Sequence, residues 1–309
     1  MLSFSEAKLK QPTAMLASVV LMLLLSVGNA FCETELPQET VAEVRANPNY
    51  KFLIGALSEE GRSSVGQGEI AEKAWSLGLV ARARAIWEET LKARKVEGVE
   101  RARTALSLAI LELQEANFSK ARTIAEEVAL ELRPSELRAQ LWLLIAEAAK
   151  AEKALESAEK YYMKAVEEAE GERKAEAKLL LAQCQYDSQK FKEAKETLVT
   201  ISSSSAYAPN SLKLLTAIDF RNKNYKSVIV WISEGRKKYS EQFDGEEIRY
   251  QEIVSMIETN RLREAKELLA SFANNFSEES DWFVLAKATV VTKEAETELL
   301  DPSFGKDRG

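Results

Sequence analysis

Residues 141–165 read LWLLIAEAAKAEKALESAEKYYMKA. Trp142, Ile145, Ala146 and Ala149 recur at helical spacing, and so do Ala158, Tyr162 and Ala165. The stretch predicts a helix, a short turn and a second helix. Its small residues let two antiparallel helices approach closely, while Trp142 and Tyr162 fill the space around that contact.

The same pattern recurs on both sides. Its small residue on the second helix stands at Ala83, Ala121, Ala158, Ala194, Val228 and Ala265, at separations of 38, 37, 36, 34 and 37 residues. Three residues earlier are Val80, Phe118, Leu155, Phe191, Tyr225 and Leu262. Four residues later come Trp87, Ala125, Tyr162, Leu198, Ile232 and Leu269. Upstream, on the first helix, a second small residue recurs at Ala71, Ala109, Ala146, Ala182 and Thr216, with Ile253 as the exception. A sequence that repeats one thin, two-sided unit must stack its copies to bury their apolar faces.

In order and spacing these units resemble tetratricopeptide repeats (TPR). The resemblance implies an all-α fold: an α-solenoid of about six helix-turn-helix repeats over residues 64–277, with a C-terminal capping helix in 278–300. Trp282, Phe283, Leu285, Ala286, Val290 and Val291 supply the apolar stripe of that cap. Residues 31–63 read as a helical or irregular N-terminal segment and 301–309 as a disordered tail.

Punctuation agrees with long helices. Between Val99 and Asp301 the only prolines are Pro134 and Pro209 and the only glycines Gly171, Gly235 and Gly245, each expected to interrupt a helix. The intervals are rich in Ala, Leu, Glu, Lys and Arg. Val228 to Ile232 is the one strand-like run, and its helical flanks favour a buried helix segment.

Family members line the inner face of the superhelix with first helices. Carried onto this chain, that pattern places Trp75, Leu106, Ile110, Leu143, Glu147, Lys150, Leu179, Gln183, Tyr186, Lys213, Phe220, Arg221, Tyr250, Val254 and Ile257 on a partner-binding groove. Trp75, Tyr186, Phe220 and Tyr250 come one per repeat, and aromatics of this kind anchor a bound peptide or helix. Members that clamp a terminal carboxylate use Lys, Asn and Arg at inner positions held here by Leu106, Ile110, Leu143 and Leu179, so that clamp is not expected. Many groove positions also suit packing between neighbouring first helices.

Composition narrows the chemistry. Of 309 residues, 46% are hydrophobic and 29% charged, which fits an ordered chain. Forty-two basic against 49 acidic residues leave −7, with no basic excess for nucleic acid or an anionic membrane. The absence of histidine removes His triads, His bases and His-bound metals. Neighbouring acids such as Glu88 and Glu89 diverge by about 100° on a helix and do not converge on a substrate. No catalytic residue, cofactor or metal is expected, and Cys184 reads as a buried thiol.

Lys8 and Lys10 precede an apolar stretch from Ala14 to Val27, then Gly28, Asn29 and Ala30, the shape of a secretory signal with cleavage after Ala30. The stretch is 14 residues long, short of the roughly 20 that span a bilayer. Membrane association would require an uncleaved segment or a lipidated Cys32, and Phe31 argues against lipidation. The expectation is an exported, periplasmic or secreted scaffold that binds an extended or helical segment of another protein. A structural homo-oligomer without a peptide ligand is the alternative.

Overall fold

Six turns of one design organise the chain. The computed structural model describes residues 67–93 and 97–299. Among these are thirteen α-helices and one 3-10 turn, and no strand. In chain order they are α1 (Gln67–Ser76), α2 (Val80–Lys92), α3 (Gly98–Gln114), α4 (Phe118–Glu131), α5 (Glu136–Ala151), α6 (Leu155–Glu168), α7 (Gly171–Asp187), α8 (Phe191–Leu198), α9 (Ala208–Arg221), α10 (Tyr225–Lys238), α11 (Glu246–Glu258), α12 (Leu262–Asn275) and α13 (Asp281–Leu299). The 3-10 turn is Ser240–Phe243. The expected signal (1–30), the segment 31–63 and the tail 301–309 lie outside the described residues. No helix among the described residues is long and apolar enough to cross a membrane.

Each first helix ends on a residue in the left-handed region: Gly78, Ala116, Lys153, Gln189, Lys223 and Asn260, with φ from 60° to 78°. The amide of the next residue reaches back five positions: Leu79 to Ala74 (2.9 Å), Asn117 to Glu112 (2.8 Å), Ala154 to Ala149 (2.9 Å), Lys190 to Gln185 (2.8 Å), Asn224 to Asp219 (2.8 Å) and Arg261 to Met256 (2.8 Å). The left-handed residue itself donates three positions back, as in Gln189 to the Tyr186 carbonyl at 2.9 Å. These paired bonds satisfy carbonyls that a helix end leaves open. Five of the six positions carry a side chain, at a cost of about 1 kcal/mol each.

The chain divides into two compact units, one ending at Ala154 and the other beginning at Leu155. In the first, α1 pairs with α2 and α3 with α4, α3 packs on α2, and α5 packs on both α3 and α4. Ile70, Ala71, Ala83, Ile86 and Trp87 form its core with Leu108 and Leu111 of α3. In the second, α6 pairs with α7 and α7 with α8; α9 packs on α7 and α8 and pairs with α10; α11 packs on α10, and α12 and α13 both close over α11. Pairs therefore stack in chain order within each unit. The six second-helix small residues, Val228 included, are fully buried, and so are the six first-helix ones, Ile253 included. Trp87, Tyr162 and Ile232 are also fully buried, each worth roughly 2–3 kcal/mol over exposure.

Charge ties consecutive pairs together. Glu112 of α3 has no exposed side-chain surface and takes hydrogen bonds from Lys120 Nζ (2.8 Å), Asn117 Nδ2 (2.8 Å) and Arg84 of α2. Asp219 of α9 is its counterpart, taking bonds from Lys195 Nζ of α8 (2.6 Å), Trp231 Nε1 (2.8 Å) and Asn224 Nδ2 (3.1 Å). Burial pushes both carboxyls up. The hydrogen bonds and nearby cations outweigh it and hold each below its ordinary range.

One expected break is not a break. Gly235 lies buried inside α10, where the ring of Phe243 occupies the space a Cβ would need. Its glycine is required by packing, not by a turn. Gly171 and Gly245 do mark helix starts, Pro209 sits in the first turn of α9, and Val228 to Ile232 lies within α10.

Candidate functional site: an aromatic cleft in the second unit

α7, α9 and α11 are the first helices of three successive pairs, and α13 follows them. Each sets one large ring toward a common cleft of about 490 Å³: Tyr186, Phe220, Tyr250 and Trp282. Tyr186 and Phe220 each stand three residues before a left-handed turn residue, Gln189 and Lys223, so the shared turn gives them equivalent places. The rings continue one another. Phe220 meets Tyr250 at 5.9 Å and Tyr225 at 6.1 Å between centroids, both edge-on, and Tyr250 meets Trp282 at 5.3 Å with the planes tilted by 43°. All are half-buried, and Tyr186, Phe220, Tyr250 and Trp282 each pack one side on core residues. Rings already ordered in this way lose little freedom when a guest covers them.

The charges are segregated. Arg221 lies over Tyr186 and Phe191, its guanidinium carbon 5.7 Å and 5.3 Å from their centroids, and Lys223 lines the same wall. On α11 stand Glu247 and Gln251. Gln251 is 5% exposed, its Nε2 donates to Glu247 Oε1 at 3.1 Å, and its Oε1 has no hydrogen-bond partner among the described residues. Turning the amide over would set oxygen against oxygen, so the orientation is fixed. A buried acceptor left unpaired costs about 1–3 kcal/mol. Burial pushes the Tyr225 phenol up, and the charge of Glu258 adds to it.

Of the groove positions read from the sequence, Tyr186, Phe220, Arg221 and Tyr250 meet on this cleft. Gln183 and Lys213 are half-buried elsewhere on α7 and α9. Leu179, Val254 and Ile257 are buried, with Leu179 and Ile257 inside core clusters. In the first unit, Trp75 packs edge-on against Trp87 at 5.7 Å. Leu106, Ile110, Glu147 and Lys150 are half-buried there and Leu143 is buried. Sequence reading missed Trp282, assigned to the cap, and Tyr225, assigned to the repeat signature; both positions do double duty. It also missed Lys223, Glu247 and Gln251, whose charge and unsatisfied oxygen have no sequence signature.

Cys184 is fully buried and its Sγ lies 3.4 Å from the Leu155 carbonyl. No group of three or more Cys, Asp or Glu side chains suited to a metal ion occurs among the described residues.

No family model matches the chain, and no curated protein matches it. Solved structures do. The apo form of RapI superposes with a TM-score of 0.51 at 16% identity, covering 74% of this chain and 93% of that one. A tetratricopeptide repeat protein from Parabacteroides merdae ATCC 43184 gives 0.52 at 11% identity, covering 82% and 89%. At such identities the likeness is one of fold. The repeated hairpins described above and these neighbours agree: the fold is the tetratricopeptide-repeat α-solenoid, with α13 as its cap.

Proposed function

We propose that this chain of tetratricopeptide-repeat fold is a non-catalytic scaffold that captures a segment of another protein across the first helices of its second unit. The observation that carries the reading is the unbroken row Phe220, Tyr250 and Trp282 with Tyr186 beside it, contributed by four different helices to one cleft. A preformed aromatic surface of this kind gains its energy by excluding water from a guest's apolar groups. The lysines, apolar stretch and small residues of 1–30 support export to an extracytoplasmic compartment, where the scaffold serves a cell-envelope assembly.

The test is capture. A photoreactive residue at Tyr186 should crosslink a partner in cells, and Phe220→Ala with Tyr250→Ala should abolish the crosslink while the helical circular dichroism stays unchanged. Capture that survives both substitutions excludes the cleft. Mass analysis of the mature chain should find Phe31 at its N-terminus; a chain still beginning at Met1 excludes cleavage after Ala30, and a chain recovered only from the cytoplasm removes the export reading.

A second reading, self-assembly, is favoured by α13. Its Val284, Leu285, Val291 and Leu299 are about half or more exposed, an apolar outer side unusual for a terminal helix. Sedimentation decides it: a monomer across micromolar concentrations excludes this alternative.

A further inference from the structure

We infer that the cleft recognises its segment through one basic side chain, an arginine or lysine seated between Glu247 and the rings of Tyr250 and Trp282. The inference rests on the partner-segment reading above and adds the chemistry of the guest.

Two observations converge on a donor-bearing cation. Glu247 is exposed on the cleft wall and forms no ion pair among the described residues, so its carboxylate offers charge and an open oxygen to a donor from the guest. The rings of Tyr250 and Trp282 line the same cleft. A planar guanidinium can donate to the carboxylate while its face rests on an aromatic ring. Ring faces alone would accept any apolar side chain, but a leucine or phenylalanine here would leave Glu247 without a counter-charge. An acidic guest group is repelled by Glu247 and is drawn instead toward Arg221 and Lys223 at the Tyr186 side. The favoured guest is therefore a bipolar segment, basic toward α11 and acidic toward α9.

Random dodecapeptides displayed on phage and selected on the chain from Phe31 to Gly309 provide the probe. The expected consensus holds an Arg or Lys with an Asp or Glu to one side. Replacing that arginine by citrulline in the synthetic peptide should weaken binding roughly tenfold, the size of one charge-assisted contact. Glu247→Lys should erase the arginine preference or reverse it toward acid, with helical circular dichroism checked against the parent because Glu247 also accepts a hydrogen bond from Gln251. Peptides that lose binding with Tyr250→Ala yet contain no basic residue, or that ignore citrulline, overturn the inference and leave the aromatic cleft standing. Peptides indifferent to both Phe220→Ala and Tyr250→Ala, or no selected peptide at all, overturn the cleft itself and the inference with it.

Discussion

Lys195 Nζ lies 2.6 Å from Asp219 Oδ1, joining one helix pair to the next through a carboxylate with no exposed side-chain surface. Glu112 and Arg84 hold the same register in the first unit, the cation in each case following the buried small residue of the preceding second helix, Ala194 or Ala83. Asp219→Ala would strand the Trp231 and Asn224 donors as well as Lys195. The expected loss is about 2–4 kcal/mol, with Asp219→Asn losing less. Urea midpoints of the two variants against the parent chain measure it.

The same pair of carboxylates sets an acid limit. Each is held below its ordinary value, so each binds its proton less readily folded than unfolded. Their contribution is complete above the unfolded values, near pH 4, and drains away as pH falls through the lower folded values. Glu112→Gln combined with Asp219→Asn should be less stable than the parent at pH 7 yet show a flatter loss from about pH 4.5 down to 2. Thermal unfolding across that window gives the two slopes, and equal slopes refute the assignment.

Left-handed turn residues with side chains offer an easy gain. Ala116→Gly and Gln189→Gly should each raise stability by up to about 1 kcal/mol, the relief of a strained φ less the added freedom of the unfolded chain. Gly78→Ala should do the reverse. A melting temperature that falls in the glycine variants would mean these turns are not strained.

Gly235 and Phe243 form a lock-and-ring contact. Gly235→Ala should cost about 1–3 kcal/mol by forcing the ring aside. In a Phe243→Leu background the same change should cost far less, since alanine is the better helix former. A double-mutant cycle with no coupling would show the glycine to be replaceable.

Cys184 reports opening of the second unit. In a Cys32→Ser chain, a thiol reagent should find no reactive group until denaturant exposes α7, because the sulfur is buried against the Leu155 carbonyl. Fast modification of the native chain would mean that α6 and α7 part readily.

The repeats were legible because Ala83, Ala121 and their counterparts must be small wherever two helices touch, a constraint that leaves a mark at fixed intervals. Even the irregular members kept their places: Val228 and Ile253 are as buried as the alanines they replace. The cleft was half legible. Tyr186, Phe220, Arg221 and Tyr250 were found by position in the repeat, but Trp282 and Tyr225 were hidden by a second role. Leu179 and Ile257 share the predicted face and yet serve the core, since facing inward on one helix does not reveal what the next helix covers. Nothing in the sequence singles out Glu112 and Asp219, whose burial depends on cations supplied by the preceding helix pair.

The left-handed residues stand seven positions after the first small residue and five before the second in all six hairpins, from Ala71, Gly78 and Ala83 through Ile253, Asn260 and Ala265. Every difference in repeat length therefore falls between the small residue of a second helix and that of the next first helix, a stretch that includes the links joining one hairpin to the next. Extra residues spliced into those links would leave each hairpin's grip untouched, whereas a single one added inside a hairpin would rotate one helix off its mate. The array has a rigid tooth and an elastic hinge of sequence, and it is the hinges that can carry an epitope or label without disturbing the fold.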